Sequence, residues 1–382
     1  MTDTSSSKDY SVHESGSTPQ DTQVGACAQA SLWMLARYMS QQFNCREFLP
    51  SEINALAKAN MAMGRPLPAE SGLTPIQILD ALQGMGFPAV MYMRENVDPC
   101  SRHVDPAFPI NSGSDAEEVA SKDLRRTAKL ADIAYRYIES GLPVILGTSN
   151  HAVVAIGHTY DHTATSATVA IQRIPSFFIN NDANGPYQEM LLFAKDVDKL
   201  SFFDVRTVIT VAPPEVTLKG EEAELMATEC IDGVLKEPVT KSGETLGDLL
   251  PQMRPEFSPW LKQREYRTYL MRSVMLQQEI QLGMRLGHIR RQAGEKLLVL
   301  DYPKYVWVSE ISSPDLLNQA DMANRKCLGF VVVDSTAPSR TNGVIAMHFA
   351  DLFLDVPRDA PQRANRYVFR GSTPIRHRVS PD

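Results

Sequence analysis

Hydrophobic positions along this chain begin at a helical period and later switch to a strand period. From Cys27 the apolar residues fall at Ala28, Leu32, Leu35, Ala36 and Met39, the spacing of one buried helix face. The stretch 51–57 predicts a second helix, capped by Ser51 after Pro50. Thr74-Pro75-Ile76-Gln77 starts a third, with a Thr cap, Gln three residues later and Pro at the first helical position. That helix carries Ile76, Leu79 and Leu82 and stops near Gly84 and Gly86. The polar stretch 98–121, spotted with Pro and Gly, reads as a long surface loop. A helix over about 122–138 follows, with Leu124, Ala128, Ala131, Ile133, Ala134 and Tyr137 as its inner side.

Then the period changes. Short β-rich runs predict strands at 142–146, 151–157, 168–172 and 177–180. Helices first and an antiparallel sheet afterwards is an α+β order, not the alternation of a parallel sheet. Pro213-Pro214 precedes a charged segment, which places a domain boundary near residue 215. Beyond it, Ser258 as cap and Pro259 as first helical residue predict a long helix to about Gln292. Its end carries Arg285, His288, Arg290 and Arg291, cations suited to a helix C-terminus. Strands are expected at 297–300, 305–308, 330–333, 344–347 and 367–370, making the second domain, 216–382, α+β as well. Residues 1–19, rich in Ser, Thr, Asp and Gly, are expected to be a disordered tail.

A chain of 382 residues fits two domains. The net charge of −7 argues against a general nucleic-acid or anionic-membrane binder. No apolar run approaches 18 residues, so no membrane partner is expected, and the expected location is the cytoplasm. The five cysteines, Cys27, Cys45, Cys100, Cys230 and Cys327, are odd in number and widely spaced without a C-x-x-C. That fits reduced thiols and offers no zinc site; no metal or other cofactor is expected.

Cys27 carries the chemistry. A thiol at a helix start lies near unpaired N–H groups and the positive end of the dipole, which favour the thiolate. A helix terminus supplies roughly 0.3–1 kcal/mol and at best about 2, or at most about 1.5 pKa units. A thiol near pKa ~8.5 therefore needs a neighbouring imidazolium as well, held by a third group. His151 follows a polar turn and opens the strand His-Ala-Val-Val-Ala-Ile-Gly, where a base would point over a sheet edge. Asn181-Asp182 ends the strand beginning at Phe177, ahead of Gly185-Pro186. Antiparallel neighbours bring the start of one strand beside the end of the next, which can set Asp182 beside His151. His158 lies seven residues on and faces the opposite side of a regular strand. His162 lies past a turn, and His348 has no thiol near it in sequence.

Cys, His and Asp or Asn on helix, strand and strand is the layout of the papain-like cysteine peptidases. Gly25-Ala26-Cys27-Ala28-Gln29-Ala30-Ser31-Leu32-Trp33-Met34 resembles the nucleophile helix of the bacteriocin-processing, double-glycine leader peptidases. Gly141 to Leu146 followed by His151 to Gly157 is similar to that family's histidine strand, and 74–87 to its helical subdomain. The likeness covers about residues 20–213. It implies a papain-like domain over 20–215: a helical subdomain carrying the Cys helix and an antiparallel sheet carrying His and Asp. It also implies a bacterial protein, with Cys27 as nucleophile, His151 as base and then acid, and Asp182, or Asn181, orienting the imidazole. A glutamine ahead of the cysteine donates to the oxyanion. Family members carry it about six positions ahead; this chain offers Gln20, seven ahead, and Gln23, four ahead. Gln20 is the preferred choice, since the amide must fold back over the sulfur.

The implied activity is cleavage of a peptide or isopeptide bond in a protein or peptide substrate through an acyl-thioester. Transpeptidation or amide transfer on the same fold, and a non-catalytic binding module, are the alternatives. The C-terminal domain is expected to select the substrate or a protein partner and to do no chemistry.

Overall fold

The computed structural model describes residues 27–58, 61–62, 65–66, 72–98, 115–161, 164, 170–194, 199–238, 243–253, 264–317, 326–338, 343–349, 352–356, 365–368 and 375–376. The expected N-terminal tail, most of the 98–121 loop, and Gln20, Gln23, Cys100 and His162 lie outside them. Helices and antiparallel sheets make up the described chain, an α+β composition. It divides into two compact units: described residues up to 161 with 174–214, and 164, 170–173 and those from 215 on.

In the first unit, four helices precede or interrupt a six-stranded sheet. These are α1 (Cys27–Phe43), α2 (Pro50–Leu56), α3 (Pro75–Gly84) and α4 (Asp115–Glu139). The strands are β1 (Ala89–Met93), β2 (Val144–Gly147), β3 (Ala152–His158), β4 (Ser176–Asn181), β5 (Gly185–Leu191) and β6 (Thr207–Val211). The sheet order is β1-β6-β2-β3-β4-β5, antiparallel throughout. β3 is buried along its whole length, and α1 and α4 both pack on it.

α1 buries the face its periodicity foretold, with Leu32, Leu35, Ala36 and Met39 fully enclosed. Each such Leu or Met contributes about 1.5–3 kcal/mol relative to exposure. Polar Ser31 shares that buried face. At α3, Thr74 Oγ1 accepts the Gln77 N–H and the Gln77 side chain accepts the Thr74 N–H, with Pro75 at the first position. The stripe it buries is Ile78, Ala81 and Leu82, whereas Ile76 is 64% exposed in the first turn. α2 begins one residue earlier than its sequence suggests. Pro50 is its first residue, Leu49 stands at the cap and donates to Glu52, and Ser51 caps nothing. α4 starts at Asp115, seven residues before the expected position, and its last turns are buried on every side.

The second unit holds α5 (Gly220–Lys236), α6 (Leu246–Met253), α7 (Ser273–Arg285) and α8 (Arg291–Leu298). Its sheet runs β12-β11-β10-β9-β8-β7. In chain order the strands are β7 (Glu265–Arg272), β8 (Tyr305–Ser312), β9 (Gly329–Asp334), β10 (Val344–Phe349), β11 (Leu352–Asp355) and β12 (Asn365–Val368). α7 and α8, with the turn between them, cover one face through Leu276, Ile280, Ile289, Ala293 and Leu297.

Three elements differ from their sequence expectation. The single helix over 258–292 is in fact strand β7, helix α7 and the start of α8; Ser258 and Pro259 lie outside the described residues. β7 is buried at Glu265 and from Arg267 to Met271, and its two buried charges, Glu265 and Arg267, are both paired. Arg267 Nη1 lies 3.1 Å from Glu310 Oε2, and Arg173 binds both carboxylate oxygens of Glu265 at 3.2 and 3.4 Å. Of the strand expected at 168–172, residues 168–169 lie outside the described residues and the rest is a 3-10 turn, Ala170–Arg173, which delivers Arg173 to Glu265. The strand expected at 297–300 is the end of α8, with Leu297 buried in the core and Val299 81% exposed.

Candidate active site

Cys27 is the first residue of α1, half-buried at the helix terminus where backbone N–H groups have no partner within the helix. His151 stands at the end of the β2–β3 turn. Its N–H donates to Thr148 Oγ1 at 3.1 Å, and its carbonyl accepts from the Thr148 N–H at 2.8 Å and hydroxyl at 3.1 Å. The turn thus fixes the backbone of His151 before β3 begins.

β3 and β4 are antiparallel with Val154 opposite Asn180, so the entry to β3 lies beside the exit from β4. There the His151 Nε2 lies 2.9 Å from Asn181 Oδ1 and 3.6 Å from Asp182 Oδ1. Asn181 Oδ1 also accepts the Ala183 N–H at 3.0 Å, and its Nδ2 donates to Gln188 Oε1 at 3.5 Å. With Nε2 taken by Asn181, Nδ1 is the ring nitrogen left for the bond His151 makes with Cys27. Ala152, the next residue, makes a backbone hydrogen bond to the same sulfur. The Ala152 carbonyl accepts from Ser31 Oγ at 3.2 Å.

The electrostatics follow from these contacts. Burial of the Cys27 thiol opposes ionisation, but the His151 hydrogen bond, the Ala152 backbone bond and the imidazolium charge outweigh it. The thiol therefore ionises below its ordinary range, with the Asp182 charge pushing weakly the other way. His151 is pushed up to about 9, first by the hydrogen bond with Cys27 and then, against the cost of burial, by Asn181 and the two negative neighbours. Burial raises the Asp182 carboxyl above its ordinary value; the His151 charge and the Ala183 N–H pull it back.

The fold therefore brings Cys27, His151 and Asp182 together, with Asn181 closer to the imidazole than Asp182. His158 is buried instead against α4. Its Nε2 lies 2.6 Å from Glu139 Oε2, its Nδ1 3.1 Å from the Thr159 carbonyl, and Tyr135 meets it edge-on. His348, on β10, is buried and stacked on Phe330. Ser31 escaped the sequence pattern; its signal is a hydroxyl at Cys27 + 4, inside an otherwise apolar helix face. Among the described residues no group of three or more His, Cys, Asp or Glu could hold a metal ion, no disulfide joins the cysteines, and no helix is long and apolar enough to cross a membrane.

No protein-family model matches the chain, and no curated protein does. Two solved structures are similar to it. One is a double-glycine motif protease from an AMS/PCAT transporter in complex with the leader peptide, at 14% identity and a TM-score of 0.28, covering 53% of this chain and 94% of that one. The other is the peptidase domain of Streptococcus ComA, a bifunctional ABC transporter of a quorum-sensing pathway, at 14% identity and a TM-score of 0.28, covering 53% of this chain and 99% of that one. At such a TM-score the overlap fixes neither fold nor function.

Proposed function

We propose that this chain is a papain-like cysteine peptidase that cleaves a peptide or isopeptide bond in a protein substrate. The observation that carries the proposal is an imidazole held between two partners, hydrogen-bonded to the helix-terminal Cys27 thiol on one side and 2.9 Å from the Asn181 amide oxygen on the other. Such an imidazole, once protonated, is a proton donor in place, and the thiol beside it, which ionises below its ordinary range, is the nucleophile.

The Cys27 sulfur attacks the carbonyl carbon, and the negative charge gathers on the carbonyl oxygen. The Cys27 N–H at the helix start and a glutamine amide, Gln20 or Gln23, would serve that oxygen. The C–N bond breaks as His151 gives its proton to the leaving amine, which leaves a thioester. Water then attacks the thioester and gives a proton to His151. The C–S bond breaks, the acid departs and gives its remaining proton to solvent, and thiolate and imidazolium are restored. Asn181 holds the ring through Nε2, and Asp182 supplies negative charge behind it. A reducing compartment such as the cytoplasm keeps Cys27 available for this cycle.

Residues 216–382 are the part we assign to selecting the protein substrate. Of its two described thiols, Cys230 is half-buried, and Cys327 is fully buried and pushed well up by that burial, unsuited to attack. Serine at exposed Leu282 and Leu286 should raise KM on a protein substrate and leave labelling of Cys27 by iodoacetamide unchanged.

Turnover of a fluorogenic peptide library tests the proposal. Cys27→Ala and His151→Ala should each abolish cleavage in a folded chain, and the double variant should be little worse than either, because the residues act as a unit. Cleavage that survives Cys27→Ala would refute it.

A further inference from the structure

We infer that Ser31 is a positioning residue for the Cys27–His151 pair, pinning helix α1 to the segment His151-Ala152 one turn below the sulfur. The inference rests on the peptidase chemistry proposed above and names a residue on which that chemistry depends.

Residues four apart lie on one helix face, so Ser31 stands directly below Cys27. It is 1% exposed, set among Ala28, Leu32 and Leu35. A hydroxyl buried among apolar side chains costs stability unless it is hydrogen-bonded. Its bond crosses 121 positions of sequence to the Ala152 carbonyl, at 3.2 Å. Ala152 directly follows the general base, and its backbone also bonds the Cys27 sulfur.

One short segment of β3 is therefore gripped by α1 at two levels, the thiol above and the hydroxyl below. Thr148 fixes the His151 backbone from the turn, leaving α1 as the element whose slide or rotation would separate sulfur from imidazole. The sulfur–imidazole bond and the Ala152–sulfur bond both depend on that spacing, and together they favour the thiolate. Removing the Ser31 hydroxyl leaves the reacting groups intact and loosens their spacing.

The test is the pH dependence of Cys27 alkylation by iodoacetamide in the full chain, read by peptide mapping. In Ser31→Ala the rate at pH 6 should fall about 5- to 10-fold, the loss of one net hydrogen bond. The midpoint should move toward that of an ordinary thiol. At high pH, where every thiol is ionised, the rates should converge. Ser31→Thr and Ser31→Val match each other in shape and differ in the hydroxyl; Thr should keep the wild-type profile and Val should lose it. A wild-type profile in Ser31→Ala, or equal profiles in the Thr and Val variants, would overturn the positioning role and leave the peptidase proposal standing. An ordinary-thiol profile at Cys27 in the wild-type chain would overturn both.

Discussion

Replacing Asn181 with Ala removes the oxygen 2.9 Å from His151 Nε2 and should slow turnover more than neutralising Asp182. A hydrogen bond to a charged group is worth about 1.5–3 kcal/mol, which on the barrier is roughly 10- to 150-fold in rate. Asp182 is 3.6 Å from the same nitrogen, beyond hydrogen-bond reach. Its attraction for the imidazolium is about 4–5 kcal/mol at an effective dielectric near 20. Desolvation works against that gain, because burial raises this carboxyl above its ordinary value. Asp182→Asn, which keeps the shape, should therefore cost less than about tenfold, a net below about 1.4 kcal/mol. The assay is kcat/KM on a fluorogenic peptide at pH 7.5, with urea unfolding alongside, since Asn181 also accepts the Ala183 N–H and its loss weakens the turn. Both variants should lower the basic limb of the rate profile. A larger loss in Asp182→Asn than in Asn181→Ala, at matched stability, would refute the assignment and make Asp182 the orienting group.

The rate profile itself should be bell-shaped, reporting the coupled pair and not either residue alone. The acid limb belongs to protonation of Cys27 and should lie below the range of an ordinary thiol, and the basic limb to loss of the His151 proton near pH 9. A rate still rising at pH 9 would contradict the ion pair. In the second unit, Glu265→Ala leaves Arg173 buried without its carboxylate and should cost about 3–5 kcal/mol by urea unfolding, while Glu265→Leu with Arg173→Met should recover most of it. A change under 1 kcal/mol in Glu265→Ala would show that this pair holds nothing together. Because 170–173 group with the second unit, a chain cut at residue 215 would separate Arg173 from Glu265, so substrate-selection tests belong on the full chain.

Much of this architecture was legible where local chemistry and burial agree. Thr74, Pro75 and Gln77 foretell the start of α3, and the run from Ala152 to Ile156 foretells a buried strand. Placement of Cys27 at a helix start and of His151 at a strand mouth follows from the same patterns. The second unit misled because its strand β7 hides buried positions under charge. Glu265 and Arg267 look like solvent-facing residues in sequence, yet each is enclosed against a partner, Arg173 and Glu310, far away in the chain. The stripe Leu270, Met271, Val274, Met275, Ile280 and Met284 has helical spacing but spans the strand–helix junction at Arg272 and Ser273. The choice between Asn181 and Asp182 was illegible for a different reason. The β4–β5 register slips between Ile179 and Asn181, and a slip of one residue changes which side chain faces the neighbouring strand. No local composition announces that bulge.

The most direct measurement is a covalent one. The full chain at pH 6 is treated with limiting iodoacetamide, and every cysteine is mapped in wild type and in His151→Ala. Cys27 should carry nearly all the label, Cys45 and Cys230 little, and buried Cys327 none until the chain unfolds. In His151→Ala the preference for Cys27 should disappear, because the thiolate loses the imidazolium that stabilises it. Label spread evenly over the half-buried thiols Cys27, Cys45 and Cys230 of the wild type, or a Cys27 preference that survives His151→Ala, would contradict the nucleophile and its partner together.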